Sequence, residues 1–268
     1  MPSSSPHEAK IRRRKAPILK ALLPRRRHDF DDEAGIDVDQ IDDRVVAAVA
    51  DLILNHQIGI LPTETVYGLV GSAQSDDVVE RIFQIKGRDV KKPLPVQVSS
   101  FRDVADLGVE IGPQAETLES NFWPGPLTLV LPFLGPERCA KQIAPSLLRQ
   151  WQEKGTVAIR ISDHPVTALI LRKANIPVVA TSANISGQAP ITRLAQLDTA
   201  LRGKVDWIVD AGPAQFSRES SVVQCDREGW RILREGALRG AIIQKTLLSV
   251  TSRSFDSGQD GVKLVDKR

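Results

Sequence analysis

Aromatic side chains are scarce in this chain: one Tyr, four Trp and seven Phe make up 4% of its 268 residues. A core of that composition is aliphatic, and platforms on which unpaired bases could stack are few. No run approaches the roughly 18–20 apolar residues of a membrane span, so no membrane role is expected. Cysteine is limited to Cys139 and Cys225, far apart and outside any CxxC spacing. With no stretch that reads as a secretory signal, the expected compartment is reducing and cytoplasmic. The histidines His7, His28, His56 and His164 are scattered without a partner at metal-ligand spacing, so no protein metal site is expected. Both glycine-rich phosphate cradles, G-x-x-x-x-G-K-[ST] and G-x-G-x-x-G, are missing. A nucleotide would therefore have to be held by side chains. There is also no Ser-His-Asp spacing and no paired catalytic carboxylates. What remains is positioning and charge stabilisation, the means of adenylation and phosphoryl transfer.

Hydrophobic residues at 41% and charged residues at 26% are ordinary for a globular protein with a sizeable core. The net charge of +3 hides an asymmetry. Residues 10–27 carry nine Lys or Arg and no acid, whereas residues 29–43 carry eight Asp or Glu and no base. Blocks of like charge stay solvated, so residues 1–43 read as a charged, disordered extension. It would touch RNA or simply remain in solvent; a mitochondrial transit peptide is the alternative, made less apt by the acidic block. A folded domain is expected over 44–246 and a polar tail over 247–268.

Within the domain, Val45, Val46, Val49, Leu52 and Ile53 form a helical stripe. A strand over Ile58–Leu61 follows, then a helix capped by Ser75, with Asp76 and Asp77 in its first turn, that runs out at Lys86-Gly87. Strands are expected over 93–99, 127–131, 156–161, 178–180, 206–210, 221–225 and 230–233, and helices over 113–122 and 165–173. Alternating strands and helices with a strand-rich end predict an α/β fold with a mixed sheet.

The chemistry gathers at strand ends. After Ile58-Gly59-Ile60-Leu61 comes Pro62-Thr63-Glu64-Thr65-Val66-Tyr67-Gly68-Leu69, where Pro62 stops the ladder and four polar side chains follow. Such a stretch is either a site or a strand-to-loop exit whose hydroxyls satisfy backbone. Ala180-Thr181-Ser182-Ala183-Asn184 repeats the form. Lys86-Gly87-Arg88 with Lys91-Lys92 places four cations in seven residues, able to grip a polyphosphate or merely to answer a helix dipole. Arg160, on a strand otherwise apolar, needs an anionic partner. Ser220-Ser221 opens another strand and Arg234 closes the next.

Taken together these motifs resemble the YrdC-like threonylcarbamoyl-AMP synthases: PTETVYGL at 62–69, K-x-R at 86–88 with KPL at 92–94, WPGPLT at 123–128, TVAIR at 156–160, SAN at 182–184 and LREG at 233–236. The resemblance spans about residues 44–240 and rests on the six motifs in order. It implies a twisted mixed sheet with helices around a large concave basic groove. It implies the making of threonylcarbamoyl-adenylate and pyrophosphate from ATP, L-threonine and bicarbonate, with Mg²⁺ accompanying ATP. The product would feed a downstream transferase that modifies the adenosine beside the anticodon of ANN-decoding tRNAs. By motif, Lys86 and Arg88 would be catalytic and bind ATP together with Lys92, Thr156, Ser182, Asn184 and Arg234. Thr65, Gln97, Arg160, Ala180 and Ser220 would bind threonine. Gln97 stands where many relatives carry His, and Lys92 where many carry Asn. The length suggests the single-domain type. Two rivals remain: a non-catalytic module binding tRNA or double-stranded RNA, and the carbamoyl-adenylating domains of hydrogenase maturation, whose zinc-finger-like and acylphosphatase-like regions this chain lacks.

Overall fold

The computed structural model describes residues 16–21 and 41–256, with side chains described as far as Ser249. Both arginine triplets, most of the acidic run and residues 257–268 lie outside the described residues.

Helices begin where a side chain or a proline settles the free N–H groups. Asp42 accepts from Arg44 N at 2.9 Å to start α1 (Asp43–Leu54), and Ser75 caps α2 (Asp76–Lys86) through Val78 N at 3.4 Å. Gly87, at φ 57°, ends α2 in the left-handed region. Proline at the first turn opens α4 (Pro113–Phe122), α5 (Pro145–Lys154) and α6 (Pro165–Ala174). Shorter helices α3 (Phe101–Ala105) and α7 (Thr199–Arg202) and the terminal α8 (Gly240–Asp256) complete the set.

Among the described residues ten strands make one mixed sheet: β1 (Ile18–Lys20), β2 (Gly59–Leu61), β3 (Gly68–Ser72), β4 (Val96–Gln97), β5 (Leu127–Pro132), β6 (Thr156–Arg160), β7 (Val178–Ser182), β8 (Trp207–Asp210), β9 (Ser221–Asp226) and β10 (Gly229–Arg234). Their order is β1-β8-β2-β3-β7-β4-β6-β5-β9-β10. Alternate residues serve two cores. Ile60, Leu69, Val179 and Ile208 join one cluster with α2, α4 and α5; Leu61, Val70, Val178 and Trp207 join another with α1 and α6. The first cluster continues through Leu129, Val157 and Val223, so that face is covered along its length. On the other face, among the described residues, the cluster with α1 and α6 draws on β1, β2, β3, β7 and β8. Thr128, Ala158 and Val222, which point the opposite way from Leu129, Val157 and Val223, are left on an uncovered stretch.

Four expectations are corrected. The expected strand over 93–99 shrinks to Val96–Gln97, because Pro93 and Pro95 have no N–H to offer the ladder. Strand β3 and helices α3, α5, α7 and α8 were not foreseen. No element was assigned over Gly68-Leu69-Val70-Gly71, yet Gly71 is a packing residue: a Cβ there would lie 2.5 Å from Val78 of α2. The boundary at residue 43 also moves. Ile18–Lys20 pairs in parallel with Ile208–Asp210, and Ala16, Ala21 and Ile41 are buried, so part of the extension belongs to the sheet. The boundary at residue 246 falls inside α8, where Leu247 is buried.

Candidate active site

The uncovered stretch of sheet forms a cleft of about 250 Å³. Seven strands and three connections line it: Thr63, Thr65 and Val66 from the β2–β3 connection, Gly68 from β3, Arg88 and Pro93 after α2, Gln97 from β4, Thr128 from β5, Ala158 and Arg160 from β6, Ala180 to Ser182 from β7, Glu219 and Ser220 before β9, Val222 from β9, and Arg234 from β10. Three guanidinium groups and one carboxylate face this space, so its field favours anions.

The β2–β3 connection folds on itself. Thr63 Oγ1 donates to Val66 O at 2.5 Å and accepts from Val66 N at 3.1 Å. Its proton is thus committed, and Thr65 Oγ1, 2.8 Å away, is the donor between the two hydroxyls. Thr65 keeps lone pairs toward the cleft, an acceptor suited to an amine. Tyr67 turns away and donates to Gly212 O at 2.6 Å.

Glu64 is 3% exposed and meets Arg160, whose Nη2 donates to its Oε1 at 2.5 Å; Ser162 Oγ donates to its Oε2 at 2.6 Å. Burial pushes the Glu64 carboxyl up, but the charge of Arg160 and the bonds from Ser162 and Arg160 outweigh it, leaving Glu64 below the usual carboxylate range. Arg160 Nε donates to Gly125 O at 3.2 Å. Gly125 itself is held by its N–H on Ile161 O at 2.9 Å, and a Cβ there would lie 2.5 Å from Phe122 O. The Trp-Pro-Gly-Pro turn thereby serves as a carbonyl rest for the arginine.

On the opposite side, Arg88 Nε and Nη2 donate to Lys92 O at 3.1 Å and Pro93 O at 3.0 Å, which leaves three N–H donors for the cleft. Lys86, 2% exposed, lies beneath the floor. Its Nζ donates to Ser182 O, to Asn184 O at 2.8 Å and to Asn184 Oδ1 at 3.1 Å. Burial, helped by Arg88 and opposed by Glu219, draws the Lys86 ammonium down to about 8, so it remains charged at neutral pH. The fourth corner joins Ser220, 2.8 Å from Thr128 Oγ1, to Arg234, which donates to Ser220 O at 2.9 Å and pairs with Glu219 at 3.1 Å. Gly236 is obligatory here, since a Cβ would lie 2.2 Å from Glu219 O.

A family model named for Sua5, yciO and yrdC, described as "Telomere recombination", matches residues 51–236. The threonylcarbamoyl-AMP synthase of Bacillus subtilis is 35% identical over 196 residues, 73% of this chain and 54% of that protein. That of Pyrococcus abyssi is 33% identical over 78% of this chain and 59% of its own length. A crystal structure of P. abyssi Sua5 complexed with L-threonine superposes with a TM-score of 0.71 at 31% identity, covering 85% of this chain and 60% of that one. The chain belongs to the Sua5/YciO/YrdC family. It spans little more than half the length of these two curated relatives.

Of the residues expected from the family motifs, Arg88, Ser182, Arg234, Thr65, Gln97, Arg160, Ala180 and Ser220 line the cleft. Four do not. Lys86 and Asn184 form the tie beneath it, Lys92 is exposed and lends only its carbonyl, and Thr156 starts β6, about 13 Å along the strand from Arg160. Gln97 is buried and its Oε1 has no hydrogen-bond partner among the described residues. The sequence reading missed Thr63, Thr128, Ser162 and Glu219 and left Glu64 without a role. A signal for Glu64 was present: the strand of Arg160 demanded an anion, and Glu64 was a carboxylate set among apolar and hydroxyl residues. No signal distinguished Ser162 or Glu219 from ordinary loop residues.

Proposed function

We propose that this protein is an L-threonylcarbamoyladenylate synthase, forming threonylcarbamoyl-AMP and pyrophosphate from ATP, L-threonine and bicarbonate. The observation that carries the reading is the convergence of Arg88, Arg160 and Arg234 with the hydroxyls of Thr65, Ser182 and Ser220 on one cleft. A 31%-identical relative whose crystal structure holds L-threonine supports it.

In this reading Arg160 takes the amino-acid carboxylate and Thr65 Oγ1 accepts from the amine. The amine and bicarbonate give a carbamate and water. A carbamate oxygen then attacks the α-phosphorus, the bond to the β-phosphate breaks, and pyrophosphate leaves. Arg88 and Arg234 neutralise the charge that builds on the phosphate oxygens. Mg²⁺ would enter with ATP and supply further neutralisation. Among the described residues Glu219 is the one carboxylate lining the cleft, and it is paired with Arg234, so the donors fit an ion held by phosphate oxygens and water. The product would pass to a transferase acting on tRNA.

The test is pyrophosphate release from ATP, with and without L-threonine and bicarbonate, by the wild type and by Arg88→Ala and Arg160→Ala. Dependence on both co-substrates is expected, and each variant should lose about 2–4 kcal/mol of transition-state stabilisation, roughly 30- to 1000-fold. Unchanged rates in both variants would overturn the reading. Turnover that requires carbamoyl phosphate would point to the hydrogenase-maturation chemistry, and tight RNA binding without turnover to a non-catalytic module.

A further inference from the structure

We infer that Glu64 and Ser162 are positioning residues that aim the Arg160 guanidinium at the amino-acid carboxylate; the inference rests on the function proposed above. Fixing two of the five N–H bonds of a guanidinium decides where the other three point, because the group is planar and rigid. Arg160 Nε rests on Gly125 O at 3.2 Å and Nη2 on Glu64 Oε1 at 2.5 Å. Nη1 makes no hydrogen bond among the described residues, and Arg160 lines the cleft. The edge left open by these two contacts is therefore the one available to a ligand carboxylate.

Glu64 is in turn prevented from rotating. Its Oε2 accepts from Ser162 Oγ at 2.6 Å, and Ser162 Oγ accepts from His164 N, the N-cap of α6, at 3.3 Å. A bond from the start of a ten-residue helix thus passes through a hydroxyl and a carboxylate to the arginine. The carboxylate acts from behind the arginine: each oxygen is bonded within the fold and Glu64 does not line the cleft.

Two roles for Glu64 predict opposite results. If the carboxylate served only to neutralise Arg160, Glu64→Gln would free the positive charge and tighten the hold on a carboxylate ligand. If it aims the group, the same substitution weakens that hold, because an amide can turn its NH₂ toward the guanidinium and repel it from its seat. The measurement is pyrophosphate release at varied L-threonine and, separately, varied ATP, with calorimetric titration of L-threonine alongside. Glu64→Gln should raise the KM and Kd for threonine at least about tenfold while the KM for ATP stays within twofold. Ser162→Ala, which deletes one bond and leaves the ion pair, should move the threonine constants the same way by about threefold and keeps the test open should Glu64→Gln fold poorly. Tighter threonine binding in Glu64→Gln, or threonine constants within twofold of wild type in both variants, would overturn the positioning role while the synthase reading stands. A parallel rise of both KM values would assign Glu64 a general structural role and overturn it equally. A wild-type protein without threonine-dependent turnover would instead remove the reading on which the inference rests.

Discussion

At the scale of single residues, the buried charges divide into those that face the cleft and those that shape it. Glu64 belongs to the second group, and its ion pair has a pH signature. The folded state holds this carboxyl below its ordinary value of 4.5, so the unfolded chain takes up a proton first as the pH falls. The pair's contribution is complete above that ordinary value and disappears as the pH drops through the lower folded one. Urea unfolding of wild type and Glu64→Gln should therefore show a stability gap at pH 7 that narrows below about pH 4. A gap independent of pH would mean that the carboxylate is not ionised in the fold. Lys86 also acts from beneath. Lys86→Met leaves the carbonyls of Ser182 and Asn184 without their donor, which should cost about 2–3 kcal/mol in denaturant unfolding and loosen the Ser182 corner. A loss of turnover without a loss of stability would instead place the ammonium in the chemistry.

At the scale of elements, glycine decides how closely two segments meet. Gly236 lets β10's exit cross the residues before β9, with Ala237 N on Glu219 O at 2.8 Å and Gly236 N on Ser221 Oγ at 2.8 Å. Gly236→Ala should push Glu219 and Ser220 away from Arg234 and cost about 1–3 kcal/mol by overpacking, with a marked loss of turnover. Gly59 plays the same part between β2 and β8: a Cβ there would lie 2.0 Å from the Trp207 ring. Gly59→Ala should lower the melting temperature while the protein that remains folded keeps its KM values. Equal effects of the two substitutions on KM would contradict this separation. These glycines show where sequence reading stops. The cap at Ser75 and the start at Pro165 were legible because their physics is local, acting on N–H groups within a turn, although Pro145 opens α5 in the same way and was passed over. The use of Gly71 against Val78, or of Gly59 against Trp207, depends on partners that only the folded chain supplies. The same holds for the Glu64–Arg160 pair, whose members lie 96 positions apart.

At the scale of the whole molecule, the sheet extends beyond the stretch carrying the family motifs. β1 covers the outer edge of β8, and Ala21 N donates to Asp210 O at 3.0 Å. Removing residues 1–21 should uncover that edge, cost about 2 kcal/mol through the lost burial around Ala16, Leu19 and Ala21, and favour self-association through the exposed strand. Denaturant midpoints and light scattering on the truncated chain would check both; an unchanged midpoint would mean β1 adds nothing to stability. The charged composition of residues 10–27 concealed this strand, because three residues among nine cations carry no readable period. The cleft lies at the other end of the order. Thr63 and Thr65 come early, Arg160 and Ser182 in the middle, and Ser220 and Arg234 last, with β9 joining β5 in parallel between partners 94 positions apart. During synthesis the growing polypeptide can complete most of its hydrophobic core while the seat for Ser220 and Arg234 is still empty. A chain ending before Ser220 would therefore keep most of the buried core yet lack one whole corner of the cleft, the one built from Ser220 and Arg234.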